Sequence, residues 1–335
     1  MTELGDQLTD RERDFHVSLV IPVRDESETL PELFESIAAQ SFPPTEVVFV
    51  DAGSVDNTTE LIRNAARVDT RFRLIEAGPS SPGRARNVGI EAARYEWIAL
   101  TDAGMRLEAT WLERLVKVAR ASRSTDVVFG NYEPLVDSFF ERCAALAYVS
   151  PKQIRNGHLM RGPAVPSSLL RSEVWRTVGG FPDSRAAEDL MFIEAIAAKG
   201  HHVEYAPTAT TWWRLRPTLS TTFDKFVTYS RYNVWMGRQW DWHYGVRRIY
   251  LLMIPFVVLA IVHSIWWMLG PVLMLCARTF KRIWNNRERR GLLWAINPVQ
   301  FVGVGLLVLV IDAATFIGWA QALARQPSSS PAIEL

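Results

Sequence analysis

Cysteine is scarce in this sequence: Cys143 and Cys276 are the only two in 335 residues, and they lie far apart in unlike surroundings. That excludes a disulfide framework and any metal site built on paired thiolates, and it suits a reducing compartment for the soluble part. Net charge is nearly absent as well, at +1 from 37 basic and 36 acidic side chains, so no global field marks the chain for nucleic acid or another polyanion. The opening stretch MTELGDQLTDRERD lacks the apolar run of a secretory signal, so the front of the chain is expected to start in the cytosol. Neither a GxGxxG segment nor a P-loop lysine motif occurs, which removes the footing for dinucleotide oxidoreductases and P-loop kinases. No internal repeat is evident, and the single low-complexity piece, Gln326 to Pro331, reads as a disordered tail.

What is present begins with short β-branched runs alternating with longer helical stretches, from Val17 to about Tyr205. The runs are Val17 to Ile21, Val47 to Val50, Arg73 to Ile75, Trp97 to Leu100, Val127 to Phe129 and His202 to Tyr205. This alternation predicts an α/β domain with a mostly parallel sheet covered by helices. Thr29 and Asn57 each stand three residues before a glutamate, which predicts helix starts with capping side chains there.

From Ile249 to Ala277 the chain runs 29 residues without Asp, Glu, Lys or Arg. As one helix that is roughly 43 Å, against a hydrocarbon core of about 30 Å, so it is expected to break, and Gly270-Pro271 is the expected break point. A second apolar stretch, Val299 to Trp319, is long enough for one span but carries Asp312, which needs a partner or an interfacial position. Trp266, Trp267, Trp284, Trp294 and Trp319 near the ends suit a membrane interface. Between the two stretches, Arg278 to Arg290 holds six basic residues against Glu288. With two simple spans, that run would face away from a cytosolic catalytic domain, against the positive-inside rule. A hairpin or re-entrant pair over Ile249 to Ala277 resolves the conflict and keeps the basic run cytosolic, where it would attract anionic headgroups.

Ligands of open parallel sheets bind beyond the carboxyl ends of the strands. Asp51 closes VVFVD and Asp102 closes WIALTD, each able to accept from a base or ribose, to hold a divalent cation against a diphosphate, or merely to cap its turn. Glu188 and Asp189 open another helical stretch, where negative charge is favoured and a carboxylate can project into a cleft. Arg84 and Arg86 follow Pro82-Gly83 at a further helix start, as phosphate-binding candidates or as a solvated basic face.

Taken in order, these segments resemble the family 2 glycosyltransferases, which use the GT-A fold. The resemblance covers roughly residues 15 to 225. It rests on SLVIPVRDE with Pro22 and Glu26, VDAGSVDNT with Asp51, GRARNVGI with Asn87, TDAG with Asp102, the Gly179-Gly180-Phe181 turn and the Glu188-Asp189 pair. It implies a nucleotide-sugar donor, held by Pro22, Glu26, Asp51, Arg84, Asn87 and Asp102. Asp51 would take the base, Asp102 the ribose and the metal side of the diphosphate. Asp189 would be the catalytic base of an inverting transfer, with Gly180, Phe181 and Glu188 on the acceptor side.

Two departures stand out: the usual double aspartate is Asp51-Ala52, and the usual DxD metal motif is Asp102-Ala103-Gly104. A divalent Mg²⁺ or Mn²⁺ is still expected, held by Asp102 and the diphosphate with water, or by another residue such as His201 or His202; the third alternative is a cation not bound tightly at all. The Q/RxxRW motif of processive members is missing, so single additions are expected; Trp235, Trp240 and Trp242 would stack on sugar or lie at the membrane surface. Further expectations are a polar tail over 1–15, the catalytic domain over 16–225, an interfacial linker over 226–248, a membrane region over 249–323 and a disordered tail over 324–335. The expected location is the cell membrane, multi-pass with the catalytic domain cytoplasmic. Expected partners are a lipid-linked or glycan acceptor and membrane lipids, with no nucleic acid. A sugar-phosphate nucleotidyltransferase is disfavoured because the first strand leads into Pro22-Val23-Arg24-Asp25-Glu26 rather than a GxGTRL-like loop. A non-catalytic membrane scaffold of the same fold, favoured by Gly104, is the alternative.

Overall fold

The computed structural model describes residues 15–155 and 157–325, so the expectations for the N-terminal tail and for Gln326 to Pro331 lie outside the described residues. The chain falls into two compact units. The first runs to Tyr132 and adds Pro163–Asp183 and Asp189–Trp212, while the second comprises Glu133–Gly162, Ser184–Glu188 and the chain from Trp213 onward.

The first unit is built on an eight-stranded sheet in the order β3-β2-β1-β4-β9-β6-β10-β5. The strands are β1 (Val17–Val23), β2 (Glu46–Asp51), β3 (Phe72–Glu76), β4 (Trp97–Leu100), β5 (Met105–Leu107), β6 (Val127–Leu135), β9 (Ser168–Arg171) and β10 (Val203–Arg214). β1 pairs in parallel with β2 and β4, and β2 with β3, whereas β9 is antiparallel to both β4 and β6. All six expected runs are strands. The short β5 and β9 had no comparable apolar run to announce them.

Alternation along β1 and β2 explains the three layers. Leu19, Ile21, Val47 and Phe49 point to one face, where they meet Leu33 and Ile37 of α1 (Leu30–Ala38) and Leu112 and Leu115 of α4 (Trp111–Ala121). Val20, Val48 and Val50 point to the other, against Ala85 and Ile90 of α3 (Pro82–Ala92), Val174 of α6 (Ser172–Val178) and Phe192 of α7 (Glu188–Ala198). Both faces of these strands are therefore dry, as a parallel sheet requires. Glu46 is buried at the head of β2 because Ser18 Oγ, the Arg94 amide and Arg73 Nη1 donate to its carboxylate at 2.7, 2.6 and 2.9 Å. Burial alone would raise its pKa; these donors outweigh it and hold the group below the usual glutamate value.

The expected helix starts hold, but their chemistry differs. α1 begins after Thr29 and α2 (Thr58–Val68) after Asn57, yet neither side chain caps its helix. The Thr29 hydroxyl donates instead to Glu26 Oε2 at 2.5 Å, and Asp56 Oδ1 accepts the Thr58 amide at 3.0 Å.

Gly130 in β6 marks the tightest approach inside the sheet: a Cβ there would collide with Ser167 Oγ and lie 2.6 Å from the Ala209 carbonyl oxygen. Since backbone is in the way, Gly130→Ala is expected to cost about 1–3 kcal/mol. A shift of the urea unfolding midpoint to lower concentration checks this, and an unchanged midpoint refutes it.

The second unit holds α5 (Phe139–Tyr148), the hairpin of β7 (Gln153–Arg155) and β8 (His158–Met160), and α8 (Leu219–Trp235), α9 (Gln239–Val262), α10 (Leu269–Asn285), α11 (Leu292–Ala295) and α12 (Pro298–Ala324). The boundary expected at 225 falls inside α8. α9 and α12 are long and apolar enough to cross a membrane. α9 and α10 form a hairpin in which Gly270 lies against the Phe256 ring. Its bend lies at 263–268, where Ser264 turns extended, and not at Gly270-Pro271. Pro271 sits in the first turn of α10, where its missing N–H is not needed.

Asp312 has its partner. In α12 it is buried and receives both guanidinium nitrogens of Arg278, one at 2.8 Å, together with the Tyr250 hydroxyl at 3.1 Å. Arg278 therefore does not belong to a solvated basic loop. With Lys281 and Arg282 it lies in α10, and only residues 286–291 connect to the next helix. Of the tryptophans expected to contact sugar or headgroups, Trp235 Nε1 donates to the Arg325 carbonyl at 3.1 Å, Trp242 meets the Tyr229 ring, and Trp240 meets the Trp319 ring while staying 56 % exposed.

Candidate active site

The loops after β1 and β2 are laced together by short polar side chains. The Asp25 amide donates to Ser54 Oγ, the Val55 amide to Asp25 Oδ1, the Glu26 amide to Thr58 Oγ1 and the Ser27 amide to Asp56 Oδ2, over 2.8–3.1 Å. Asp25 adopts a φ of 54° to allow it. Asp51 is buried at the carboxyl end of β2, beside Val23, with Pro22 one residue earlier in the register. Its carboxylate accepts the Gly53 amide at 3.1 Å and the Ser54 amide at 3.2 Å, so the turn-capping role is realised.

Asp102 follows β4 and Asp189 opens α7; a single residue joins them. Arg86 of α3, with its side chain only 3 % exposed, reaches Asp102 Oδ1 with Nη2 at 2.7 Å and Asp189 Oδ1 with Nη1 at 2.8 Å. Its guanidinium also lies over the Phe181 ring at 5.4 Å, and Phe181 stacks on Phe192 of α7. Arg84, singled out from the sequence, is exposed, its amide capped by Ser81 Oγ. Helical spacing separates the two: Arg84 and Arg86 lie about 200° apart around the axis, so only one can face the sheet. The apolar neighbours Ala85 and Ile90 were the available signal for choosing Arg86.

Asn87 organises the acceptor-side turn. Its Oδ1 accepts the Phe181 amide and Trp175 Nε1, and its Nδ2 donates to the Phe181 carbonyl, all at 2.8 Å. Gly180, with φ of 78°, packs so closely that a Cβ would stand 2.9 Å from Asn87 Oδ1. The amide atoms expected to meet the donor are thus engaged by this turn. Glu188 is buried, and Ala187 before it adopts a φ of 71°, a left-handed geometry that turns the chain into α7.

Among the described residues no group of three or more His, Cys, Asp and Glu is gathered to hold a metal. His201 and His202 are remote from Asp102: His201 Nε2 meets Thr177 Oγ1 at 2.8 Å, and both histidines sit by Asp126 at the amino end of β6, the opposite end of the sheet. Beside Asp102, however, a Cβ on Gly104 would lie 3.8 Å from Glu26 Oε2. Glu26 thus brings a carboxylate close to the position where the second aspartate of DxD is missing. Asp102 and Glu26 both carry the hard oxygen donors that Mg²⁺ or Mn²⁺ takes, although Asp102 Oδ1 meets Arg86 and Glu26 Oε2 accepts the Thr29 hydroxyl.

The model of the family described as Glycosyl transferase family 2 matches residues 18–163. A putative glycosyltransferase of Bacillus subtilis, EpsH, is 33% identical over 116 residues, 35% of this chain and 33% of that protein. The succinoglycan biosynthesis protein ExoO of Rhizobium meliloti is 38% identical over 107 residues, 32% of this chain and 30% of that protein. The matches thus span about a third of each relative's length. Among solved structures, the mannosyltransferase PcManGT of Pyrobaculum calidifontis, in complex with GDP-Man and Mn²⁺, superposes with a TM-score of 0.53 at 17% identity, covering 94% of this chain and 89% of that one, which is a likeness of fold. By the motifs at the strand ends, the family model and these relatives, residues 18–163 are a domain of the family 2 glycosyltransferase type.

Proposed function

We propose that this protein is a membrane-attached, inverting glycosyltransferase that moves one sugar at a time from a nucleotide-sugar donor, a UDP-sugar, to a lipid-linked or polysaccharide acceptor in cell-envelope glycan synthesis. The observation that carries the reading is Arg86, which ties the strand-end carboxylate Asp102 to the helix-opening carboxylate Asp189. A donor site and a base are thereby joined by a cation suited to a diphosphate. Asp51 and Pro22 would line the base, Asp102 and Glu26 the ribose and diphosphate, and the Gly180-Phe181 turn with Glu188 the acceptor. Asp189 would accept the proton of the acceptor hydroxyl as that oxygen bonds to the anomeric carbon, while the bond to the diphosphate breaks and its electron pair leaves with the nucleotide. One displacement inverts the centre. Asp102, with Glu26, would hold a divalent cation whose charge offsets that of the leaving diphosphate.

The catalytic domain occupies about residues 16–225 in this reading and faces the cytoplasm, and the membrane region follows it in the chain. The α9–α10 hairpin supports that arrangement, since a hairpin returns Lys281 and Arg282 to the side from which α9 enters. The alternative, a non-catalytic scaffold, draws on Gly104; Glu26 beside that glycine weighs against it.

The test is nucleoside diphosphate release by the purified protein in detergent from a panel of UDP-, GDP- and TDP-sugars, with Mn²⁺ or EDTA. One donor is expected to turn over, with EDTA and Asp102→Asn each lowering the rate by at least about tenfold. Binding of no donor would favour the scaffold, and full activity in EDTA would remove the cation from the mechanism.

A further inference from the structure

In the second unit, Lys225 of α8 carries a cation into an aromatic pocket. Its Nζ lies 4.2 Å from the Trp213 ring centroid, 5.4 Å from that of Tyr229 and 5.6 Å from that of Tyr148. Phe226, which is buried, closes the pocket against Tyr148. Among the described residues no carboxylate pairs with this ammonium, and the nearby charge is a second cation, Arg216. Burial, with repulsion from Arg216, pulls the Lys225 pKa down to about 7.

A second observation points the same way. The Tyr148 hydroxyl is buried; its oxygen faces the Arg216 backbone amide, while its O–H finds no acceptor among the described residues. Burial pushes its pKa up to about 12, so it remains an O–H donor. An ammonium and a phenol O–H thus meet in one aromatic cluster with no acceptor between them, and the exposed Arg216 adds a second positive charge nearby. Cation–π contact offsets part of the cost of the half-buried ammonium, but it does nothing for the Tyr148 O–H. A tetrahedral oxyanion would satisfy both and lies within the field of Arg216.

We propose that Lys225, Tyr148 and Arg216 form a receptor for one phosphate group, carried by the lipid-linked acceptor. This deepens the reading given under the proposed function and rests on it for the identity of the acceptor. The lipid source follows from position: α8 packs along α12, one of the two helices long enough to cross a membrane, with Phe226 and Val227 against Ala314 and Ser230 Oγ donating to the Thr315 carbonyl at 2.6 Å. A soluble phosphate would have no need of that neighbour.

The test uses the full chain in neutral detergent and isothermal titration calorimetry with farnesyl phosphate, farnesol and inorganic phosphate. Farnesyl phosphate is expected to bind and farnesol not. Lys225→Met should weaken binding by about tenfold or more, and Tyr148→Phe by a smaller factor, as the loss of a charged and of a neutral donor implies. Lys225→Met should unfold no earlier than the parent, because it removes an unpaired, half-buried charge. Inorganic phosphate that competes with the same dependence on Lys225 would support the receptor and overturn its lipid source. Equal binding of farnesyl phosphate by the parent and by both folded variants, or farnesol binding as tightly as farnesyl phosphate, would overturn the proposal. Nucleotide binding measured on the same samples reports on the glycosyltransferase reading separately, since neither substitution touches Asp51, Asp102 or Arg86.

Discussion

Asp189→Asn is expected to lose about 10²- to 10⁴-fold in turnover, the usual contribution of a positioned general base. Asparagine matches aspartate in size and can still face Arg86, so α7 should keep its place; what it lacks is the capacity to accept a proton. The loss is therefore expected in kcat, with the KM for the donor changed little, because Asp102 and Asp51 are untouched. Steady-state release of nucleoside diphosphate over a range of donor concentrations separates the two constants. A variant with unchanged kcat would remove Asp189 from the chemistry, and one altered only in KM would make it a donor ligand. Arg86→Gln supplies the complementary expectation. Its removal leaves Asp102 and Asp189 without their shared counter-charge, so both donor affinity and turnover should fall.

Asp312→Asn is the second large effect, and it concerns stability. Arg278, 14 % exposed, would be left in an apolar helical region with no full counter-charge, and breaking one half of such a buried pair costs about 3–5 kcal/mol. Tyr250 would still donate to the asparagine oxygen, so the pair with Arg278 carries the loss. The double substitution Asp312→Leu with Arg278→Met is expected to recover most of it, because it removes both desolvation penalties at once. Thermal unfolding of the purified protein in one detergent checks the series. If the single variant is as stable as the parent, the ion pair does not hold α10 to α12. If the double variant is no better than the single, the loss arises from packing and not from the stranded charge.

Much of this was legible in the order of residues. Runs such as VSLVI and EVVFV are rich in β-branched residues and buried along their whole length, as strands covered on both faces are, so strand identity and the two-faced sheet follow from local chemistry. Asp51 and Asp102 could be found because a carboxylate directly after such a run must stand at a strand's carboxyl end. β9 was not legible: SLLR is too short to signal, and its antiparallel insertion between β4 and β6 depends on pairing across about seventy residues of chain to β4 and about forty to β6. The capping boxes at Thr29 and Asn57 failed for a related reason. The Thr29 hydroxyl turns back to Glu26, and Asp56 takes the Thr58 amide in place of Asn57, choices that the three-residue spacing to a glutamate does not report.

The sequence by itself determined the α/β class, the strand-end carboxylates, the Glu188-Asp189 helix start and two stretches apolar enough for a membrane. These are properties of period, composition and length, and each is decided within a few residues of chain. Only the tertiary structure decided that Arg86 and not Arg84 joins Asp102 to Asp189, that Asn87 is engaged by the Phe181 turn, that Glu26 stands beside Gly104, and that Asp312 meets Arg278 and Tyr250. Each of these is a pairing between side chains distant in sequence. Which partner a charge finds depends on helix phase and on the packing of whole elements, and neither is encoded in the spacing of a single motif.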